Sequence, residues 1–307
     1  MRRNLTDKIF FFSLLFPSAL VLFTLILIFY SQLNLSLPIF EKQGLETFLG
    51  KDWRPSSIPP PEGGKYGLLP AVFGSLYTST IALLVSLPLS ASVIVFLNEI
   101  APKKARTLFS AILDLMAGLP SVIYGIWGLY FLGPLLKNYI MEPLNTMLSF
   151  LPFFSCPPLS STNVFTAGIL LGIMITPFQA TLLDETYKSI PNKYVLAMHA
   201  MGLTLFERSR MKLSMIRGAI VSSILLGFGR ASGETAAVTL VVGNVYALSL
   251  CVFSPAYTIS SLIVNQFPES QSFPYMINAL FAGSLFLLLI GLAINTLGVR
   301  MLKKVRF

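Results

Sequence analysis

Residues 9–30 read IFFFSLLFPSALVLFTLILIFY, a run without a single charged side chain. About 20 helical residues span a hydrocarbon layer of roughly 30 Å, so this run alone is long enough to cross a membrane. It is too long for the core of a signal peptide and no small-residue cleavage site follows it, so it reads as a retained span. Further along, residues 69–97, 115–136, 164–183, 216–242 and 275–299 are of the same kind, giving six expected spans. The second and fifth are long enough to tilt, kink or extend beyond the lipid. Hydrophobic residues make up 54% of the 307 and charged residues only 11%, against about a quarter in soluble domains. A soluble chain of this length could not hide that much apolar surface.

The net charge of +9 is explained by topology and not by nucleic acid, because the basic residues flank the apolar runs. Arg2, Arg3, Lys8, the segments 103–106 and 188–217, and Arg300 to Arg306 place sixteen Lys and Arg on one side; Lys42, Lys51, Arg54, Lys65 and Lys137 place five on the other. The rich side is expected to be cytoplasmic, with both termini inside, which agrees with an even number of spans. The organisation expected is a cytoplasmic end at 1–8, a first span and outer loop at 9–67, a five-helix core at 68–304 and a cytoplasmic end at 305–307. The polar outer loop 31–67, with Pro59-Pro60-Pro61 and Gly63-Gly64, is expected to lack a core of its own. Phe150 to Phe154 and Tyr257 to Val264 are expected as short interfacial helices. Cys156 and Cys251 both fall in outer loops without metal-ligand spacing. A disulfide in an oxidising compartment and two unpaired small apolar residues both stand, the second preferred.

One cation, Arg230, lies inside a span, followed four residues later by Glu234 in Gly227-Phe228-Gly229-Arg230-Ala231-Ser232-Gly233-Glu234-Thr235. Charges within spans are costly and mark pathways. A spacing of four puts both groups on one helical face, where they can pair. Gly229 and Gly233 allow close approach of a backbone or ligand, and Ser232 and Thr235 add hydroxyls. A guanidinium suits an oxyanion because it offers two parallel N–H bonds. A transport role is preferred here to a pair that merely locks helices. Gly118, Pro120, Ser121, Tyr124 and Gly125 form a second constellation: Pro120 breaks or starts a helix, Tyr124 can set a hydroxyl inside the bundle, and the segment reads as packing or a gate. Asp114 just before it is read as a cap or ion-pair partner. In the inner loop 184–215, two short helices flank Gly202, which reads either as a docking element for a cytoplasmic partner or as an amphipathic hairpin on lipid. His199 in that loop reads as a solvated surface residue. No G-x-x-x-x-G-K-[ST] loop, H-E-x-x-H motif or convincing acid/base pair is present.

GFGRASGETAAVTLVVGN at 227–244 and GLPSVIYG at 118–125 resemble the signature segments of the membrane permeases of bacterial phosphate ABC importers, closer to the C-type permease than to the A-type. LLPAVFG at the start of the second run and residues 166–177 fit as well. The resemblance, over about residues 9–304, implies an all-α polytopic protein with the six-helix type I ABC importer permease (MetI-like) fold in a bacterial inner membrane. It implies pairing with a homologous A-type permease, a cytoplasmic ATPase dimer that uses ATP and Mg, and an extracytoplasmic phosphate-binding protein, with no cofactor on this chain itself. Arg230 and Glu234 match the family's translocation-pathway arginine and acid. The segment carrying Ala197, His199, Ala200, Gly202, Glu207 and Arg208 matches the loop that docks on the ATPase. There the chain departs from the pattern: Leu196 stands where the family has Glu and Met215 where it has Pro, so Glu207 or Arg208 is the expected substitute for the missing acid. Other cargo would be phosphonate, sulfate or molybdate. A lipid-modifying enzyme or a non-transporting scaffold are the rivals from other classes.

Overall fold

The computed structural model describes residues 5–303; Arg2, Arg3, Lys304, Arg306 and the terminal residues 305–307 lie outside them. Helix α1 (Leu5–Gln43) begins with the uncharged run and continues well past it, through Pro17 and Pro38. From Phe10 to Tyr30 its large apolar side chains are exposed, as expected of a helix solvated by lipid. Its far end is not. Ile39 is buried with Tyr66, Leu68, Ile259 and Met276, and Trp53 and Tyr66 face each other in a two-residue antiparallel ribbon of β1 (Trp53–Arg54) and β2 (Lys65–Tyr66). The outer loop therefore has no separate core and shares one with the helices beneath it. The aromatic and branched residues scattered between its prolines and glycines are what it buries.

Helix α2 (Leu69–Val95) has Pro70 in its first turn, where the missing N–H costs nothing, and ends in a wider turn over Phe96–Ile100. Helix α3 (Lys103–Gly118) is amphipathic and meets α4 (Ser121–Leu148) at 96° across Leu119 and Pro120. The expected span at 115–136 is thus two pieces of different helices. Pro120 takes an extended backbone (ψ 135°) and has no N–H to continue α3. Helix α5 (Val164–Lys188), capped by the Asn163 side chain accepting from the Thr166 N–H at 2.9 Å, is the buried centre of the bundle. Gly168 and Gly172 bring it against α2. A Cβ at Gly172 would stand 2.9 Å from the Ala82 carbonyl oxygen, the small-xxx-small solution to helix packing in lipid.

The inner loop forms α6 (Asn192–Ala200) and α7 (Leu205–Met215), and α7 bends by 66° into α8 (Arg217–Ser232). A short α9 (Ala236–Val241), α10 (Ile259–Gln266) and α11 (Met276–Lys303) complete the chain. Tyr257 to Val264 is largely helical as expected, while Phe150 to Phe154 is a series of turns. Among the described residues four unbroken helices are long and apolar enough to cross a membrane, or six if each bent pair counts as one. Lys188, Lys212 and Lys303 gather at one end of the bundle, called here the basic end. At the other end Cys156 and Cys251, with Cα atoms 6.1 Å apart, are disulfide-bonded. This reverses the preference for unpaired cysteines; their separation of 95 residues hid the proximity that folding creates.

Candidate functional site

Helix α8 stops at Ser232 because Gly233 follows, and the next N–H, that of Glu234, bonds back to the Ala231 carbonyl at 3.2 Å. Arg230 therefore sits in the last turn, where a cation complements the carbonyl end of the helix. Its guanidinium carbon is 5.1 Å from the centre of the Phe178 ring on α5, within the range of a cation–π contact. The group projects into a cavity of about 780 Å³ between α3, α5, α8 and α11. Thr181, Glu185 and Ser189 descend one face of α5 below Phe178, Asp114 of α3 faces in from the side, and Lys303 lies at the mouth. The cavity reaches the basic end, and Arg230, exposed in its wall, is with Lys303 one of its two cations among the described residues.

No carboxylate lies within ion-pair distance of Arg230 among the described residues. The expected pairing with Glu234 does not form, because the helix ends between the two residues and the shared face ends with it. Glu234 instead begins a non-helical link whose carbonyl accepts from the Ser260 hydroxyl at 2.8 Å. Ser232 and Thr235 donate to the local carbonyls of Gly229 and Gly233 at 3.2 and 3.3 Å. Gly229 lies against the Asn295 side chain of α11, and Gly233 is the helix cap. The cavity's hydroxyls come from α5, which sequence reading did not single out. Their signal is the spacing of Phe178, Thr181 and Glu185 along one helical face. Among the described residues Asp114 makes none of the capping or ion-pair contacts expected of it, and it lines the cavity.

The second constellation braces the bent span. The Tyr124 hydroxyl donates to the Met116 carbonyl at 2.8 Å, bridging α4 back to α3 across Pro120. Ser121 opens α4, Gly118 has open space on its Cα, and Gly125 lets α4 approach α9: a Cβ there would lie 3.0 Å from the Ala237 Cα.

At the basic end Gly202 turns the chain between α6 and α7 with φ +68°, a conformation that side chains disfavour. Ala197, His199 and Ala200 are exposed on α6, with His199 Nδ1 2.7 Å from the Val195 carbonyl. Neither expected substitute for the missing acid is free. Glu207 accepts from the Thr204 N–H and hydroxyl, both at 2.8 Å, in a capping box. Arg208 turns inward to within 4.0 Å of Glu99. Glu99, unread in the sequence, is the hub of this end. Its side chain is 6% exposed, Lys212 reaches it at 2.6 Å, and the Tyr187 hydroxyl donates to it at 2.9 Å. Next to it Asn98 donates to Asp184 and accepts from Arg106.

A helical bundle with two bent helix pairs and a helix–turn–helix at the basic end has the type I ABC importer permease (MetI-like) fold. A bacterial ABC transporter involved in the import of the acidic polysaccharide alginate has the same fold, with a TM-score of 0.61 over 98% of both chains at 17% identity. No family model matches the chain. Among curated proteins, the probable phosphate transport system permease protein PstC of Methanocaldococcus jannaschii is 46% identical over 286 residues, covering 93% of this chain and 90% of that one. PstC of Xylella fastidiosa is 36% identical over 269 residues, covering 85% and 81%. The chain belongs to the PstC family of phosphate transport system permeases.

Proposed function

We propose that this chain is the transmembrane subunit of an ATP-driven importer and carries inorganic phosphate through the Arg230 cavity by alternating access. The observation that carries the reading is a guanidinium that has no carboxylate partner among the described residues and lines a cavity reaching one end of the bundle. An unpaired guanidinium in a protein-lined space has donors to offer and its charge to neutralise. A tetrahedral oxyanion answers both through charge-assisted hydrogen bonds. Asp114 and Glu185 in the same cavity weaken the hold on an anion, which transport requires, since a site that binds too well does not release. The cavity reaches the basic end, which on the charge bias is the cytoplasmic side of a bacterial inner membrane, with both termini there.

ATP binding and hydrolysis belong to a separate ATPase dimer docked on α6 and α7. A homologous A-type permease completes the pathway, and an extracytoplasmic binding protein delivers the phosphate. The test is uptake of radiolabelled phosphate by the assembled transporter. Arg230→Ala and Arg230→Glu are expected to lower uptake at least a hundredfold while the complex still assembles. Wild-type rates in either variant remove Arg230 from the mechanism. Competition by arsenate but not by sulfate is expected for phosphate as cargo; competition by sulfate alone would reassign it.

A further inference from the structure

Helix α7 is joined to the bundle by chain, by apolar packing and by charge. It runs through Ile216 into α8, whose last turn carries Arg230, and its Leu213 and Met215 pack against the cluster of Ile94, Leu183, Tyr187 and Ile190. Non-covalently it is held by Glu99, which stands in the wide turn ending α2 and collects Lys212 and Arg208 from α7 together with the Tyr187 hydroxyl from α5. The Lys212 ammonium also lies 5.3 Å from the Tyr187 ring centre. Glu99 and Lys212 are 6% and 10% exposed. Buried ion pairs of this kind contribute little net stability over an apolar filling of the same volume, whereas losing one partner leaves an uncompensated charge. What such a pair does supply is a fixed geometry, because short charge-assisted bonds tolerate neither slip nor separation.

We propose that Glu99 is a positioning residue that locks the α6–α7 hairpin to α2 and α5, so that a displacement of the hairpin moves α2, α5 and α8 as one body. The inference rests on the permease reading above. A push delivered at α6 then reaches Arg230 through α8 and the opposite cavity wall through α5, without relying on an acid at position 196. Without the lock the hairpin keeps its chain links to α5 and α8 and the apolar packing of Val195, Leu213 and Met215, contacts that can slide where short charge-assisted bonds hold a fixed geometry.

The experiment uses the complete transporter in liposomes, with its partner permease, ATPase and binding protein, and measures phosphate moved per ATP hydrolysed. E99Q and K212M are each expected to lower that ratio at least tenfold, with the KM for phosphate and the ATPase rate within about twofold of wild type. The exchanged pair E99K/K212E is expected to recover the ratio to within about threefold. A wild-type ratio in both single variants overturns the proposal. If the single variants fail to assemble, the exchanged pair decides: assembly without recovered coupling assigns Glu99 to folding alone and overturns it as well. A cargo other than phosphate would show as absent phosphate movement in the wild-type complex, distinct from a loss confined to the variants.

Discussion

Glu99 and Arg230 are charges treated in opposite ways: Glu99 is buried where helices meet, and Arg230 is exposed in the wall of a cavity. Glu99 is surrounded: an ammonium, a guanidinium and a phenol converge on one carboxylate. Arg230 rests on the face of Phe178 and has no ion-pair partner among the described residues, although Asp114 and Glu185 line the same cavity. Satisfying a buried charge removes its reason to bind anything else, while leaving it with an aromatic face preserves its donors. The first arrangement makes a joint and the second makes a site.

The sharpest way to break this contrast is to give Arg230 the partner it lacks. Phe178→Glu places a carboxylate where the ring now stands, and phosphate uptake is expected to fall about a hundredfold although the guanidinium is retained. Near-normal uptake would show that the free state of Arg230 is irrelevant. A smaller effect of opposite sign follows from removing a neighbouring negative charge. Asp114→Asn is expected to make internal phosphate inhibit the ATP-driven cycle at roughly three- to tenfold lower concentration, since one charge at several ångströms in a partly wet cavity is worth about 1 kcal/mol. Unchanged inhibition would place Asp114 outside the electrostatics of the site. The smallest effect belongs to the basic end. Thr204→Ala removes the cap of α7 and is expected to cost about 1 kcal/mol of local helix stability, read as faster amide exchange over residues 205–208. Transport should change less than twofold, because the Glu99 cluster still holds the helix. A larger transport loss would mean that the cap, and not the cluster, positions α7.

The long apolar runs, the basic bias, the place of Arg230 near the end of an apolar helix and the two helices flanking Gly202 were legible in the sequence because each is a local pattern: length, flanking charge, an isolated ion, a helix breaker. The Glu99 cluster was not, since its partners lie 88 and 113 residues away and no periodicity connects them. Nor was the disulfide, for the same reason. The Arg230–Glu234 pair failed for a local cause that the sequence did contain. Gly233 and the glycines before it weaken helix continuation, and assuming an unbroken helix through residue 242 overrode that signal. Pro120 was legible as a break, but the angle it produces depends on α3 lying against α5, which only tertiary packing decides.

The Cys156–Cys251 bond fastens the chain beyond α4 to the chain beyond α9, and the same two helices already meet where Gly125 abuts Ala237. Doubly attached, they behave as a single stiff plate across that end of the molecule. Widening there has to come from whole helices leaning apart rather than from a loop swinging aside.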